Sequence, residues 1–332
     1  MEFRTKVDLP AGIYEIRHSD RLMLWGSCFA ENIGKLLSDN KFTCDINPFG
    51  ILYNPLSVAE ALEEIAAQHR YEEADLRVDN GQWYSLMHHG SFSSPDKETC
   101  LAQINTRIQQ GATFLRQADW LLMTWGTARV YRWKEDGRIV GNCHKLPEKL
   151  FERYLLDAED IVTRYKDLLP RLKALNPQLK VIFTVSPIRH AKDGMHGNQL
   201  NKAVLLIAIE QLCRLFPFCH YFPSYEIMMD ELRDYRFYAD DMLHPSPLAV
   251  KYIWECVCQT YFRAPTLQVM KEWETIQKGL AHRPFNEDSE VYHTFLSQIL
   301  LKIERLKEKL PYLDVQNEIT LCQTRLKKSL LP

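Results

Sequence analysis

The apolar segment Trp120–Trp125 constrains the fold of this chain more than any other part of the sequence. It has strand length and carries no charge, as expected of a strand that is buried on both faces of a parallel sheet. Segments at residues 22–26, 41–45, 180–185 and 219–223 also have strand length, and helical patterns separate them. Five strands that alternate with helices predict an α/β fold with a doubly wound, five-stranded parallel sheet.

Apolar residues recur at helical spacing between these strands. The predicted helices cover residues 30–37, 55–69, 97–117, 157–176, 198–216 and 247–261. Two hairpins are predicted as insertions, at residues 76–84 and 130–140, because turn signals such as Asn80-Gly81 separate short extended segments there. Both are expected either to roof one cleft, since loops on a rigid sheet usually carry specificity, or to form a dimer surface.

The sequence divides into two predicted parts. Residues 1–264 hold the strands and form the sheet domain, and residues 265–332 form a C-terminal helical extension. In the extension, apolar residues at helical spacing predict amphipathic helices at 291–310 and 314–330. These helices are expected to dock on the sheet domain or to pair two chains as a homodimer.

Composition limits the partners and the compartment. The 41 basic and 43 acidic side chains leave a net charge of −2, which provides no electrostatic attraction to nucleic acid or to an anionic membrane. The first ten residues lack the apolar core of a secretory signal, and no segment stays apolar long enough to span a bilayer. Nine cysteines, an odd number without a C-x-x-C pair, are expected to stay reduced. We therefore expect a cytoplasmic protein without a nucleic-acid or membrane partner.

The junction at Ser27 predicts a functional site. The apolar run 22–26 ends at Gly26 and a helical pattern follows, so Ser27 lies at the carboxyl end of a strand and the amino end of a helix. Free N–H groups and the helix dipole favour negative charge there, which suits a serine nucleophile whose attack creates an oxyanion. The structural alternative is an N-cap serine without chemistry.

The segment Asp241-Met242-Leu243-His244 offers the matching base. A single turn presents both side chains on one face, so the Asp241 carboxylate would hold the His244 imidazole in one tautomer. The other ring nitrogen would then take the proton of a serine. A solvated turn without function is the alternative.

Together these motifs resemble a known family. Residues 26–30 read GSCFA, the signature of the GSCFA family, which is related to the SGNH (GDSL-like) hydrolases, and Asp241-x-x-His244 matches the last motif of those hydrolases. Similar segments are NPFGILYNP at 47–55, WGTA at 125–128, NCHKLP at 142–147 and TVSP at 184–187. The resemblance implies a flavodoxin-like sheet and a serine esterase without cofactor or metal, with Ser27, His244 and Asp241 as the triad. It also implies a small acyl substrate such as an acetyl ester, on a small molecule or a glycan.

The resemblance identifies the triad but only some of the donors that would bind the oxyanion. Gly50 matches the glycine that follows the second strand in SGNH enzymes, although a glycine can also serve only a turn. Many of those enzymes then have Gly-x-Asn, where this chain has Gly126-Thr127-Ala128. The third donor is therefore Thr127, Asn47 or Asn54.

Further polar residues are candidates for substrate contact. His88 and His89 are adjacent, so on an extended chain they point in opposite directions and are expected to line the acyl pocket rather than to bind a metal. Arg189, in a long polar loop after the fourth strand, is expected to contact an anionic or hydroxylated substrate.

Several alternatives stay open. Cys28 is a second possible nucleophile, since a thiolate at a helix start is activated, but only one of two neighbouring side chains can face His244. Ser186 with His190 forms a rival pair, for which Pro187 leaves no helix start. The same site could transfer the acyl group to a sugar hydroxyl, or the chain could be a binding module that kept the fold without the chemistry.

Overall fold

The computed structural model of the protein describes residues 4–10, 14–286 and 289–328. The strands are β1 (Arg21–Gly26), β2 (Thr43–Ile46), β3 (Arg77–Asp79), β4 (Gln82–Tyr84), β5 (Trp120–Trp125), β6 (Arg129–Trp133), β7 (Phe151–Leu155), β8 (Lys180–Val185) and β9 (Cys219–Tyr221). The central sheet has the order β2-β1-β5-β8-β9, and each neighbouring pair is parallel. This order is that of flavodoxin-like folds, so the predicted doubly wound sheet is confirmed.

Helices cover both faces of this sheet. They are α1 (Cys28–Asp39), α2 (Pro55–Ala67), α3 (Lys97–Leu115), α4 (Ala158–Leu175), α5 (Gly194–Leu215), the single turn α6 (Ser224–Glu226), α7 (Pro247–Tyr261), α8 (Ala264–Ala281), α9 (Glu290–Lys309) and α10 (Gln316–Lys328). A π-helical turn (Ile227–Glu231) follows α6. Short 3-10 turns lie at Glu73–Asp75, Gly90–Phe92, Glu148–Leu150, Ala191–Asp193 and Tyr235–Phe237.

The alternation of side chains along β1 builds two cores. Met23 and Trp25 point to the face covered by α2, α3, α4 and α5, whereas Leu22 and Leu24 point to the face covered by α1 and α7. All four side chains are at most 1% exposed. Burial on both faces explains why the strands are apolar at consecutive positions rather than at every second one.

The two insertions differ from each other in how well they match the prediction. The β3–β4 hairpin is as expected. In the second insertion, β6 pairs along its length with β7, and residues 138–140 contact β6 only around a single bridge, from Arg132 to Ile139. The predicted contact is present, because the Trp133 N–H donates to the Arg138 carbonyl at 2.8 Å and the Val140 N–H to the Tyr131 carbonyl at 2.9 Å. The longer pairing of β6 with β7, across 17 intervening residues, was not predicted, since no turn signal marks so distant a pairing.

The C-terminal extension contacts the sheet domain. Trp273 in α8 donates its indole N–H to the Asp39 carbonyl at 2.8 Å, and Lys41 forms an ion pair with Glu318 of α10 at 2.7 Å. Helix α8 was not predicted, and the last two residues of the predicted helix 314–330 lie outside the described residues. None of the helices in the described ranges is long and apolar enough to cross a membrane.

The strand order also locates the expected binding site. From β1 the chain continues to β2 on one side, and it later returns to form β5 on the other side. The connections that leave the carboxyl ends of β1 and β5 therefore run to opposite sides of the sheet. Ligands of open α/β sheets bind at such a switch point. Here it lies between the turn after Gly26 and the loop that starts at Gly126.

Candidate functional site

The turn between β1 and α1 begins at Gly26, whose φ of +131° lies in a region that favours glycine. An added Cβ there would lie 2.0 Å from the carbonyl oxygen of Thr124 on β5. The Gly26 N–H donates to Asn47 Oδ1 at 2.9 Å, which ties the turn to the loop after β2. The close approach of β1 and β5 therefore depends on this glycine.

Ser27 is the N-cap of α1 and is 1% exposed. Its hydroxyl accepts from the Phe29 N–H at 3.3 Å and donates to Ser186 Oγ at 3.0 Å. Ser186 is fully buried just after β8. Between the described residues, no hydrogen bond joins Ser27 to His244. Ser27 thus links α1 to the loop after β8, and its catalytic role stays a prediction.

Cys28 is the first residue of α1 and is half-buried. Its side chain lines a cavity of about 680 Å³, and Ser27 is not part of that lining. The sulfur lies 3.9 Å from the phenol oxygen of Tyr53. The side chains of Ser27 and Cys28 diverge, as expected for neighbours in such a turn, and Cys28 is the one that reaches the cavity.

The predicted Asp241–His244 pair is present at the cavity. The two backbone N–H groups of Leu243 and His244 donate to Asp241 Oδ1 at 2.9 Å each, and Met242 takes the left-handed φ of 60° that closes the turn. His244 Nδ1 lies 2.5 Å from Asp241 Oδ2. A carboxylate only accepts, so Nδ1 carries the proton and Nε2 is the free acceptor.

Hydrogen bonds keep the Asp241 carboxylate of this pair ionised. Hydrogen bonds from the backbone N–H groups of His244 and Leu243, and then from the His244 ring, lower the pKa of Asp241 to about 2. The carboxylate therefore stays charged at ordinary pH. The Arg189 N–H donates to the Leu243 carbonyl at 3.3 Å, which attaches the turn to the loop after β8.

Loops after four strands of the sheet surround the cavity, together with the His244 turn and the β6–β7 insertion. The lining includes Cys28, Tyr53, Asn54, Thr127, Arg129, Tyr131, Asn142, Cys143, Phe151, Arg153, Arg189, His190, Leu243 and His244. Burial, with a contribution from Cys28, raises the pKa of Tyr53 to about 12, so its phenol stays protonated. Burial lowers the pKa of His190 to about 4, so that ring is neutral near pH 7.

The segment after β5, where Thr127 is a predicted oxyanion donor, is held by hydrogen bonds within the protein. The N–H groups of Gly126 and Thr127 both donate to the Tyr53 carbonyl, at 2.8 and 3.0 Å. Thr127 Oγ1 accepts from the Arg129 N–H at 3.0 Å and from Asn201 Nδ2 at 2.8 Å. Since Oγ1 already accepts twice, its own O–H remains available as a donor, and Thr127 is part of the cavity lining.

A buried lysine that sequence reasoning missed supports this segment. Lys202 of α5 is 1% exposed, and its ammonium donates to the carbonyls of Gly126 and Ser186 at 2.7 and 2.8 Å. Burial lowers the pKa of Lys202 to about 7. In the sequence it resembles any polar residue of an amphipathic helix, so only the packing of α5 against the loops identifies it.

One wall of the cavity is rich in positive charge. Arg153 donates to both carboxylate oxygens of Asp193 at 2.7 Å, and Arg129 Nε lies 3.1 Å from the same carboxylate. Lys192 pairs with Glu148 at 2.7 Å. The full lining holds five cationic side chains and two carboxylates, and Lys145 and Arg189 form no ion pair within the described residues.

Three residues predicted to bind the oxyanion or substrate, Asn47, Gly50 and Gly126, lie outside the cavity lining. The Gly50 N–H donates to the Asn47 carbonyl at 2.7 Å, and the φ of +79° shows the turn conformation that favours glycine. The Asn47 side chain receives the Gly26 N–H. Donation by Gly50 to an oxyanion would require its present bond to break. Asn54, at the cavity, caps α2 by accepting from the Ser57 N–H at 2.8 Å.

The adjacent histidines are divided between the interior and the surface. His88 is fully buried, stacked on Phe49 at 4.0 Å between ring centroids, and burial lowers its pKa to about 3. His89 is exposed and accepts from the Ser91 N–H at 3.2 Å. Neither belongs to the cavity lining, which corrects their expected place in the acyl pocket. Across the described ranges, no three His, Cys, Asp or Glu side chains are grouped to hold a metal ion.

Comparison with known proteins adds a family. Residues 21–257 match the model described as "GSCFA family", and residues 273–328 match "GSCFA domain protein, C-terminal domain". No curated protein matches the sequence.

Two solved structures are similar in part. One is a carbohydrate esterase family 3 protein from Talaromyces cellulolyticus, at 11% identity and a TM-score of 0.34, covering 76% of this chain and 99% of that one. The other is the acetyl xylan esterase Est2A from the rumen bacterium Butyrivibrio proteoclasticus, at 13% identity and a TM-score of 0.31, covering 75% of this chain and 64% of that one. At TM-scores this low, neither similarity carries an argument about function.

Proposed function

Since the chain belongs to the GSCFA family, and its cavity brings an Asp–His pair together with the start of α1, we propose that the protein hydrolyses carboxylic esters. The observation that carries the proposal is the 2.5 Å contact between His244 Nδ1 and Asp241 Oδ2 at a cavity that Cys28 also lines. A histidine held in one tautomer can take a proton from a nucleophile and return it to the leaving alcohol. The proposed relation to SGNH hydrolases is supported by the strand order and by this Asp-x-x-His pair.

In this proposal the nucleophile belongs to the turn between β1 and α1. The family resemblance implies Ser27. For Ser27 to attack, its hydroxyl must give up its hydrogen bond to Ser186 and donate to His244 instead. The Thr127 hydroxyl, which has its proton available, is the best supported oxyanion donor among the predicted residues.

The lining supports a polar, negatively charged ester as the substrate. Tyr53, Tyr131 and Phe151 offer aromatic faces to a sugar or another ring, and the basic wall favours an anion. We propose a small acyl group, such as acetyl, on a glycan or small molecule that carries a carboxylate, sulfate or phosphate. Arg189 and Lys145, which form no ion pair within the described residues, are the cations of the lining that would contact it.

A non-catalytic binding module is the second candidate. It is favoured by the internal hydrogen bonds of the Gly50, Gly126 and Thr127 N–H groups, which leave few donors for an oxyanion. Acyl transfer to a sugar hydroxyl would use the same site as hydrolysis and differ only in the acceptor.

Hydrolysis of p-nitrophenyl acetate by His244→Ala tests the proposal. Loss of the general base should lower kcat/KM at least about a hundredfold. The matched control is His196→Ala, because His196 is exposed in the first turn of α5 and does not line the cavity. Equal rates for wild type and His244→Ala would contradict the proposal. Absence of hydrolysis, combined with saturable binding of acetylated acidic glycans, would favour the binding module.

A further inference from the structure

We propose that the nucleophile of this site is Cys28, so that the reaction passes through a thioester. The inference rests on the proposed ester hydrolysis and names the group that attacks. Its first support is position: Cys28 and His244 line the same cavity, whereas Ser27 is 1% exposed and bonded to Ser186. The helix cap and the bond to Ser186 account for the Ser27 hydroxyl, whereas the Cys28 sulfur has only a contact of 3.9 Å with the Tyr53 phenol, which also lines the cavity.

The N–H groups at the start of α1 provide the second support. The Ser27 N–H donates to the Thr124 carbonyl, the Phe29 N–H to Ser27 Oγ, and the Ala30 N–H to the Ser27 carbonyl. The Cys28 N–H has no acceptor among the described residues. The only open donor of this first turn therefore belongs to the residue whose side chain reaches the cavity. It is suited to bind the oxyanion that forms when its own sulfur attacks.

The surroundings of the sulfur are the third support. The amino end of α1 favours the negative charge that develops on the acyl oxygen when the sulfur attacks. The Tyr53 phenol, 3.9 Å from Sγ, stays protonated, so it can donate to a thiolate or to the substrate. Thr127 lines the cavity with its hydroxyl proton available.

Besides the ester, the proposed reaction consumes only water. His244 Nε2 takes the Cys28 thiol proton, the S–C bond forms at the acyl carbon, and the ester C–O bond breaks as His244 returns the proton to the alcohol oxygen. Water then attacks the thioester, with His244 taking one of its protons. The C–S bond breaks, and the carboxylic acid and the Cys28 thiol are released. Asp241 holds His244 Nδ1 throughout.

Alkylation of the full-length protein by iodoacetamide gives a readout that does not depend on turnover. Cys143 lines the same cavity and is the internal reference, because burial raises the pKa of its thiol to about 11. Cys28 should react at least about tenfold faster than Cys143 near pH 7, and His244→Ala should reduce that ratio. A Cys28 that reacts no faster than Cys143 would overturn the inference.

Acyl mapping identifies the attacking atom. After acid quenching of p-nitrophenyl acetate turnover, mass spectrometry should find acetyl on Cys28 in wild type and in Ser27→Ala, and neutral hydroxylamine should remove it. Cys28→Ala should lower hydrolysis at least about a hundredfold. The control Cys213→Ala, a half-buried thiol of α5 outside the cavity lining, should keep the wild-type rate.

The outcomes separate the two proposals. Acetyl found on Ser27 would overturn Cys28 as the nucleophile and leave the proposed ester hydrolysis supported. A wild-type rate in Cys28→Ala, with an inactive His244→Ala, would have the same meaning. If no ester is hydrolysed but Cys28 is alkylated rapidly in a way that depends on His244, the proposed ester hydrolysis is overturned and the assignment of Cys28 as nucleophile is supported. No hydrolysis with slow alkylation overturns both.

Discussion

At the scale of single residues, the turn 241–244 shows how a few hydrogen bonds hold a histidine ring in one tautomer. Asp241 accepts from two backbone N–H groups with one oxygen and from His244 Nδ1 with the other. The same carboxylate thus shapes the turn and selects the tautomer. Both side chains are about half exposed, at 46% and 49%, so this order comes from local geometry rather than from burial.

Asp241→Asn tests the tautomer directly. An amide can present its N–H to Nδ1, which favours the wrong tautomer, so kcat/KM should fall about a hundredfold or more at pH 7. The neighbouring exposed carboxylate provides the control, and Asp240→Asn should keep the wild-type rate. Steady-state kinetics on p-nitrophenyl acetate measures both. Equal losses in the two variants would show a general charge effect instead.

Lys202 predicts a stability that depends on pH. Its pKa is about 7 in the fold and 10.5 without burial, so between these values the unfolded chain binds more protons than the folded one. The free energy of unfolding should therefore rise with pH in this window. Lys202→Met, which lacks the titrating group, should lack that part of the rise.

Urea unfolding at about pH 6 and about pH 9 measures this difference. We expect the wild type to gain stability over Lys202→Met at the higher pH. The variant should also be less stable at about pH 9, by about 1–3 kcal/mol, since two buried carbonyls lose their donor. A gap between the proteins that stays constant with pH would contradict the assigned titration.

At the scale of elements, the strand–turn–helix unit of β1 and α1 positions the site. Gly26 lets β1 end close against β5, Ser27 caps the helix, and Cys28 then points into the cavity. Each role follows from one position in the turn. A change in the turn would therefore affect packing and chemistry together.

Gly26→Ala should be strongly destabilising. The added Cβ would lie 2.0 Å from the Thr124 carbonyl oxygen at a φ of +131°, so we expect a loss of about 3–5 kcal/mol in unfolding free energy. Gly90→Ala is the control, because nothing lies within 4 Å of a Cβ there, and it should change stability by less than about 0.5 kcal/mol. Urea denaturation of both variants gives the comparison, and similar values would refute the steric account.

At the scale of the whole molecule, the C-terminal helices are joined to the sheet domain. Their apolar faces form a core of their own around Trp273, Ile299 and Ile303, and Trp273 also reaches Asp39. These faces are therefore buried mainly against one another, while polar contacts such as Trp273 with Asp39 and Lys41 with Glu318 attach the helices to the rest of the chain. A homodimer through the helices stays a prediction, to be tested by light scattering on the purified chain.

Trp273→Ala should lower the stability of the whole protein rather than only its C-terminus. The side chain is 1% exposed, so its removal should cost about 3–5 kcal/mol. Trp273→Phe keeps an aromatic ring but loses the bond to Asp39 and part of the buried volume, so it should cost less, about 1–3 kcal/mol. Circular dichroism reports the helices and the fluorescence of the buried sheet tryptophans reports the core. Separate transitions in the wild type would contradict this coupling.

The sequence by itself determined the strands, the sheet class and the Asp241–His244 turn. Apolar runs, helical spacing and turn residues act over a few positions, so local patterns record them. Sequence patterns did not predict three features, because each depends on contacts between distant segments: the pairing of β6 with β7, the helix α8 and the hydrogen bonds from Lys202 to the loops after β5 and β8.

Only the tertiary structure decided which side chain of the turn after β1 faces the cavity. The sequence favoured Ser27 and left its neighbour Cys28 as the alternative nucleophile. In the fold, the serine hydroxyl donates to Ser186, more than 150 residues away. The fold thus assigns one residue to the helix cap and the other to the cavity. Sequence patterns predicted where chemistry is to be expected, and the packing of β1 beside β5 and β8 determined which atom is available for it.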